Sequence, residues 1–275
     1  QSPIDGCISR NEQGQIQYNI PTVRISSLDE IPSPYLNGMM DKFFDGKLSP
    51  MLQTNRGCPF TCTFCVDGSK LVNKVNSFSN ERVKQELHYI AKHVKPNMHS
   101  MHISDLNFGM IPGDLDTCNV LAKMQEQYNY PQKILSTTGK NNKERVVEIT
   151  GILGNMFAVN MSVQSMDDKV LKKIKRSNIK LDDYREVSRN LQKNGRSTKA
   201  EMIFPLPGET KESFMRGIED LISSGISSLT IYTLMLLNGT EFKNTQYRKE
   251  FDIKGRFRIV PLNFGEYEGE KIFDF

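Results

Sequence analysis

The stretch TNRGCPFTCTFCVDGS, residues 54–69, contains three of the chain's five cysteines. Cys58, Cys62 and Cys65 follow the spacing C-x3-C-x2-C. An odd number of cysteines, with three in one short loop, is a poor framework for disulfides and a better one for a metal or cluster in a reducing compartment. The loop therefore predicts an inorganic centre.

Six apolar or β-branched segments along the chain have the composition of buried strands. They lie at residues 51–55, 100–104, 133–137, 157–163, 199–204 and 228–234. The segments between them have apolar residues at helical spacing, for example at Val83, Leu87 and Ile90. Regular alternation of strand and helix predicts an α/β fold with parallel strands, and six units predict a partial TIM-like (β/α)6 barrel. In such a fold, ligands gather at the carboxyl ends of the strands, where the cysteine loop begins.

The domain plan predicted from the sequence has three parts. Residues 1–45, rich in Gly and Pro, form an extended N-terminal lead-in that connects to a missing N-terminal domain; residues 46–240 form the barrel; residues 241–275 begin a C-terminal, substrate-side region. Since the chain starts with Gln1 rather than Met, we expect a piece of a longer protein.

Composition sets broad limits on function. The 275 residues are 37% hydrophobic and 25% charged, which suits a large globular domain. The net charge of +4 is spread along the sequence, so it neither demands nor excludes a nucleic-acid partner. The sequence has no apolar run long enough to span a membrane and no signal-peptide pattern, so we expect a cytoplasmic protein.

Three clustered thiols leave two kinds of centre open. A structural zinc ion usually has four protein ligands, and the sequence has no second C-x-x-C or H-x3-H pair to complete such a set. A 4Fe–4S cluster held by three thiolates leaves one iron open to a ligand that is not protein. The residues alone favour the cluster, and a non-catalytic iron–sulfur or zinc binding module stays open as the alternative.

The pattern Cys58, Cys62, Phe64 and Cys65 resembles the signature of the radical S-adenosylmethionine (SAM) superfamily. The resemblance implies a 4Fe–4S cluster whose open iron chelates the amino and carboxylate groups of SAM. It further implies reductive cleavage of SAM to a 5′-deoxyadenosyl radical, with an electron donor such as flavodoxin or ferredoxin. By the same resemblance Phe64 lies against the adenine.

Further residues are predicted to bind SAM. Asp105, Asn107 and Gly109 follow the second strand, where the family often has a Gly-Gly-Glu stretch that this chain lacks; the two side chains supply oxygen acceptors, and Gly109 permits close backbone approach. Period-two alternation predicts that Ser162 and Gln164 share a face, suited to ribose hydroxyls or a carboxylate.

Two charged residues complete the predicted SAM site. Arg176 is predicted to reach the SAM carboxylate. Glu201 lies in mid-strand among apolar residues and needs a partner, which is either a ribose hydroxyl or a structural Lys or Arg.

The lead-in segment LDEIPSP, residues 28–34, resembles the connector of radical SAM enzymes that have an N-terminal cobalamin-binding domain. This resemblance implies cobalamin as a further cofactor and methyl transfer to a small-molecule substrate. An RNA methylthiotransferase-like enzyme is the alternative, because Gln164-Ser165 and the Pro-Gly-Glu-Thr stretch at residues 207–210 resemble segments of that group.

Overall fold

The computed structural model describes most of the chain. The described residues are 4, 6–19, 25–69, 72–138, 143–178, 180–193, 198–257, 263–267 and 269–274.

Strands and helices alternate through the centre of the chain. In chain order the strands are β1 (Ile8–Arg10), β2 (Ile16–Tyr18), β3 (Met51–Leu52), β4 (Asn55–Arg56), β5 (Asn76–Ser77), β6 (Ser100–Phe108), β7 (Lys133–Thr138), β8 (Val159–Gln164), β9 (Thr198–Phe204), β10 (Ser228–Thr233), β11 (Asn263–Tyr267) and β12 (Glu270–Asp274). The α-helices are α1 (Asn80–His93), α2 (Gly113–Tyr128), α3 (Lys143–Leu153), α4 (Asp168–Lys173), α5 (Leu181–Lys193), α6 (Lys211–Ser223) and α7 (Thr245–Glu250).

Six parallel strands form the arc of a partial barrel. The strand orders are β3-β6-β7 and β10-β9-β8, and every pairing within these two sheets is parallel. A parallel bridge between Ile134 and Phe157 joins β7 to the segment that enters β8. Each of these six strands therefore neighbours the next of the six along the chain, which is the strand order of a barrel. The predicted partial (β/α)6 barrel is confirmed.

One hydrophobic core lies between the strands and the helices. It contains Leu87 and Ile90 of α1 together with Met101 and Ile103 of β6, none of which is exposed to solvent. A smaller cluster, in which Phe242 is fully buried, lies under the cysteine loop. Burial of these apolar side chains packs the helices against the outer face of the arc.

The lead-in packs against the first barrel unit. Tyr35 Oη donates a hydrogen bond to Met51 O at 2.6 Å, and Arg82 Nη1 donates one to Ile31 O at 3.1 Å. The sequence predicts an extended segment here, whereas the structure shows the β1–β2 hairpin and two single-turn 3-10 helices, at Leu28–Glu30 and Asp41–Phe43. The first of these helices has a local cap, because Ser27 Oγ accepts from Asp29 N and the Glu30 carboxylate accepts from Ser27 N.

The remaining elements lie after the sixth barrel strand. A single-turn helix at Glu241–Lys243 leads into α7, and β11 pairs with β12 as an antiparallel hairpin. Among the described residues, no helix combines the length and the apolar character needed to cross a bilayer. The predicted domain boundaries at residues 45 and 240 stay predictions.

Candidate functional site

The cysteine loop leaves the first barrel strand through a tight turn at Gly57. Gly57 has a φ of +104°, and a Cβ atom there would lie 2.2 Å from Lys74 O. The next residue is held in place because Cys58 N donates a hydrogen bond to Val72 O at 3.1 Å. Only glycine fits this turn, so the backbone that presents the first cysteine is fixed by sterics.

The three cysteines occupy the inner side of the loop. Cys58 and Cys62 are buried and Cys65 is half-buried. Cys65 N donates to Cys62 O at 3.1 Å, and Thr63 N donates to Ile174 O at 3.1 Å, which ties the loop to the end of α4. Among the described residues, no three His, Cys, Asp or Glu side chains converge closely enough to hold a single metal ion. In a 4Fe–4S cubane each thiolate binds a different iron, so the ligands stand further apart.

Arg176 places a buried positive charge beside the thiols. Its Nη1 lies 4.0 Å from Cys62 Sγ, its Nη2 donates to Ser162 O, and its Nε donates to Asn178 Oδ1 at 2.9 Å. Burial lowers the pKa of Arg176, while the charges of Cys62, Cys58 and Cys65 oppose that shift. All three cysteines therefore act on one guanidinium, and a cation in this position stabilises thiolates. The donor set fits an iron–sulfur cluster.

The Asp105 carboxylate is hydrogen-bonded to two residues that precede the first cysteine. Its carboxylate accepts hydrogen bonds from Thr54 N and Asn55 Nδ2, each at 2.7 Å, and from the Thr54 hydroxyl and Asn55 N. Burial raises the pKa of Asp105, and the hydrogen bonds from Thr54 and Asn55 oppose the rise. These contacts show Asp105 supporting the base of the cysteine loop. Its contact with an ammonium group stays a prediction.

Asn107 and Gly109 lie at the end of β6, next to the first cysteine. Asn107 is 4% exposed and its Nδ2 donates a hydrogen bond to Cys58 Sγ at 3.3 Å. Within the described part of the chain, Asn107 Oδ1 is buried without a hydrogen-bond partner. Gly109 has a φ of +87°, and its N–H donates to Asp114 Oδ2 at 2.8 Å. The turn thus leaves one unpaired acceptor close to the thiols.

A polar cluster, defined here as Asn160, Ser162, Glu201 and Tyr232, joins the last three barrel strands. Glu201 Oε1 accepts from Asn160 Nδ2 at 2.9 Å, and Glu201 Oε2 accepts from the Ser162 hydroxyl. The charge of Glu201 raises the pKa of Tyr232, with which it also forms a hydrogen bond. The sequence predicts that Glu201 needs a partner; in the described residues its partners are neutral side chains of neighbouring strands.

The alternation that links Ser162 to Gln164 is interrupted at the end of β8. Gln164 has a φ of +67°, and the register with β9 shifts between these two residues. Gln164 is 8% exposed, and its Oε1 has no hydrogen-bond partner among the described residues. The next residue is held by the turn that precedes α6, because Ser165 Oγ donates to Glu209 Oε2 at 2.6 Å.

Phe64 packs on an aromatic cluster at the C-terminal side of the loop. Its ring contacts Phe242 edge-on, with 6.4 Å between centroids, and Phe242 stacks on Tyr247 at 5.1 Å. Phe242 N donates to Thr63 O at 3.3 Å, so this segment covers the loop through backbone as well as side chains. The predicted contact of Phe64 with adenine stays a prediction.

Sequence reasoning missed three residues that shape the site. Asn160 could have been found, since it alternates with Ser162 along the same strand. Asn178 supports Arg176 and donates to Val163 O at 2.8 Å, but no motif marks it. Tyr232 lies on a strand whose residues are mostly exposed and pairs with Ile203, so only its side-chain interaction with Glu201 shows its place in the polar cluster.

A cavity of about 480 Å³ lies on the lead-in side of β3. Its walls are mainly apolar, with Tyr35, Phe44 and Phe78 among them and Arg56 at the side nearest the cysteine loop. None of the three cysteines lines it. The described chemistry of the site therefore lies outside this cavity.

Comparison with known proteins places the chain among longer relatives. It is 31% identical over 248 residues to the cobalamin-dependent radical SAM methyltransferase TokK of Streptomyces tokunonensis, covering 86% of this chain and 35% of that protein. It is 33% identical over 214 residues to the 2-(S-pantetheinyl)-carbapenam-3-carboxylate methyltransferase of Streptantibioticus cattleyicolor, covering 74% and 31%. The chain therefore spans about a third of the length of the curated relatives it matches.

Solved structures and a family description point the same way. The radical SAM methyltransferase TsrM of Kitasatospora setae, solved with cobalamin and a 4Fe–4S cluster bound, superposes with a TM-score of 0.66 at 15% identity, covering 87% of this chain and 48% of that chain. At that identity the likeness shows the fold. The description "Radical SAM superfamily" matches residues 52–221, which is more than half of the chain. The match begins at the second residue of β3, includes the cysteine loop and strands β6 to β9, and ends before β10. The chain belongs to the Radical SAM superfamily.

Proposed function

We propose that this chain is the catalytic barrel of a cobalamin-dependent radical SAM methyltransferase. The observation that carries the radical SAM part is the cysteine loop, whose thiols are buried or half-buried and have the Arg176 guanidinium 4.0 Å from Cys62 Sγ. When bound, a reduced 4Fe–4S cluster supplies the electron that cleaves SAM to methionine and a 5′-deoxyadenosyl radical. Cys58, Cys62 and Cys65 would hold that cluster.

The chain's other residues orient SAM. Asn107 Oδ1 is an unpaired buried acceptor beside Cys58, and it suits the SAM amino group. Arg176 presents a fixed cation for the SAM carboxylate. Glu201, held by Asn160 and Ser162, is placed to accept from the ribose hydroxyls. Phe64 covers the adenine side of the loop.

Cobalamin use and methyl transfer rest on the relatives. TokK is described as cobalamin-dependent and TsrM was solved with cobalamin, and both names include methyltransferase. The lead-in that resembles the cobalamin-domain connector packs directly on the first barrel strand. We propose that this contact is how an upstream cobalamin-binding domain is attached to the barrel.

The cellular setting is part of the same proposal. No disulfide joins any of the described cysteines, which suits a reducing compartment. We propose a cytoplasmic enzyme that acts on a small molecule and receives electrons from a flavodoxin or ferredoxin. A low-potential donor is needed because cleavage of SAM consumes one electron per turnover.

Anaerobic reconstitution tests the cluster and the cleavage. We expect four irons and four sulfides per protein by analogy with a single cubane, an electron paramagnetic resonance (EPR) signal after dithionite, and release of 5′-deoxyadenosine from SAM. Cys58→Ala, Cys62→Ala and Cys65→Ala should each abolish all three. Cys118→Ala is the matched control, because Cys118 is fully buried in α2 away from the loop. Zinc in place of iron, or equal loss with Cys118→Ala, would contradict the proposal.

Methyl transfer needs a separate test on the full-length protein. SAM with an isotopically labelled methyl group is supplied with and without cobalamin, together with candidate small-molecule acceptors. We expect labelled methylcobalamin to form only when labelled SAM and cobalamin are both present. A product bearing a thiomethyl group on RNA would instead support the methylthiotransferase alternative.

A further inference from the structure

The Asn107 side chain contacts a predicted cluster ligand directly. Its Nδ2 donates a hydrogen bond to Cys58 Sγ across 3.3 Å. Arg176 Nη1 also approaches a ligand sulfur, but at 4.0 Å from Cys62 Sγ. The Asn107 contact is therefore the shorter of these two side-chain approaches to the thiols.

The backbone that carries the Asn107 side chain is held on both sides. Asn107 lies at the end of β6 and is 4% exposed, and its backbone carbonyl oxygen accepts a hydrogen bond from Met110 N at 3.2 Å. Its neighbour Phe108 is fully buried and packs edge-on against Phe157, with 5.9 Å between ring centroids. A nearly buried side chain on a fixed backbone has few rotamers open to it, so its donor stays near the sulfur with little further loss of entropy.

The other end of the same amide has no partner among the described residues. Asn107 Oδ1 is buried and accepts no hydrogen bond there. An unpaired buried acceptor costs free energy unless a ligand donates to it. The amide therefore has one end on a thiol of the cluster loop and the other end open to a donor.

We propose that Asn107 is a positioning residue that raises the reduction potential of the cluster through Cys58 and links that potential to SAM binding through Oδ1. The inference rests on the proposed function, since it requires the cluster and SAM. Asn107 touches the ligand sulfur and the bound cofactor, and it takes no part in bond cleavage.

The direction of the effect follows from charge. Reduction adds one electron, supplied by dithionite or a flavodoxin, to the cluster and its thiolates, and no bond forms or breaks. An N–H donor on a thiolate stabilises the more electron-rich state, so it raises the potential. The SAM amino group, donating an N–H hydrogen bond to Oδ1, would polarise the amide and strengthen its N–H donor, which raises the potential further.

The test is an EPR-monitored redox titration of the reconstituted protein without SAM. We expect Asn107→Leu to bind a full cluster that is about tenfold harder to reduce, a decrease of about 59 mV for a one-electron couple. Thr198→Val is the matched control, because the Thr198 side chain is also buried with an oxygen unpaired among the described residues, but it lies at the first residue of β9, away from the carboxyl ends of the strands. Its potential should equal that of the parent protein.

Adding SAM tests the second half of the inference. The potential should rise more in the parent than in Asn107→Leu, and the affinity for SAM should fall in Asn107→Leu. An unchanged potential in Asn107→Leu, or an equal decrease in Thr198→Val, would overturn the inference. A parent protein that assembles no cluster would overturn the proposed function instead, so the two failures are distinguishable.

A measurement on the parent protein covers the case in which the variant loses its cluster. Protein labelled with nitrogen-15 only in the asparagine side-chain amide is reduced and studied by pulsed EPR. We expect a hyperfine coupling from one side-chain amide nitrogen, because the Asn107 donor shares spin density through the thiolate. Absence of any such coupling would overturn the inference.

Discussion

Arg176 is the residue in which the electrostatics of the site are concentrated. It is 7% exposed, and its guanidinium connects Cys62, the carbonyl of Ser162 and the side chain of Asn178. A buried cation of this kind is stable only while anions or dipoles surround it. The thiolates supply part of that surrounding, and the proposed SAM carboxylate supplies more.

Replacing Arg176 with Met should weaken SAM binding about tenfold or more, because a hydrogen bond to a charged group contributes about 1.5–3 kcal/mol. The measurement is a titration of SAM against the EPR spectrum of the reduced cluster. Arg176→Lys keeps the charge but lacks the planar guanidinium group, so its affinity for SAM should lie between those of the parent and Arg176→Met. Parent-like affinity in Arg176→Met with a full cluster would contradict the proposed role.

The cysteine loop, at the scale of an element, depends on a glycine turn. Gly57→Ala should lower the free energy of unfolding by more than the ~1–2 kcal/mol of a left-handed residue, because a Cβ would also meet Lys74 O at 2.2 Å. Gly14→Ala is the control, since Gly14 has a φ of +75° but no atom within 4 Å of its Cβ position. Denaturant unfolding and iron content are measured together. Equal losses for the two variants would show that sterics at Gly57 do not matter.

The turn between β6 and α2 depends on a buried carboxylate. Asp114 is 2% exposed and accepts from Gly109 N at 2.8 Å and Ile111 N at 2.9 Å. Burial raises the pKa of Asp114 from 3.8 to about 6. Between these pH values the folded protein binds more protons than the unfolded chain, so its stability falls as the pH rises from about 4 to about 6.

Asp114→Asn removes this titration and keeps an oxygen acceptor for the turn. The fall in stability over that pH range should be smaller in the variant by about 3 kcal/mol, since each pKa unit corresponds to about 1.4 kcal/mol. Urea unfolding of both proteins at several pH values gives the comparison. Parallel stability curves for parent and variant would show that Asp114 does not titrate in this range.

The elements themselves could be predicted well because they depend on local patterns. The six predicted strands correspond to β3, β6, β7, β8, β9 and β10. The cysteine spacing predicted the superfamily for the same reason. Alternation failed at Gln164, where a positive φ breaks the strand, since period-two reasoning assumes regular backbone.

Contacts between distant segments could not be predicted. The bond from Asn107 to Cys58 joins residues 49 apart, and the bond from Asn160 to Glu201 joins residues 41 apart. Neither pair has a sequence signature, because barrel closure rather than local propensity brings the strands together. The residues that surround the cysteines therefore emerge only from the folded arc.

Across the whole molecule, the segment after the sixth strand closes over the cysteine loop. Phe242 is fully buried between Phe64 and Tyr247. Phe242→Ala should lower the free energy of unfolding by about 3–5 kcal/mol, as for other buried aromatic side chains, and should speed loss of the cluster in air. The fully exposed Phe257 provides the control variant, Phe257→Ala. Cluster lifetimes that match in the two variants would contradict a covering role for this segment.

The same closure sets an order of events during synthesis. Thr63 in the cysteine loop bonds to Tyr247, which lies 184 residues further along the chain. At roughly 5–20 residues per second, a ribosome needs roughly 10–40 s to pass from one to the other. During that interval the three cysteines have emerged but their aromatic cover has not been made. A cluster inserted during that interval would lack its aromatic cover, whereas a cluster inserted after release of the chain is covered. This topology therefore favours late insertion of iron and sulfide.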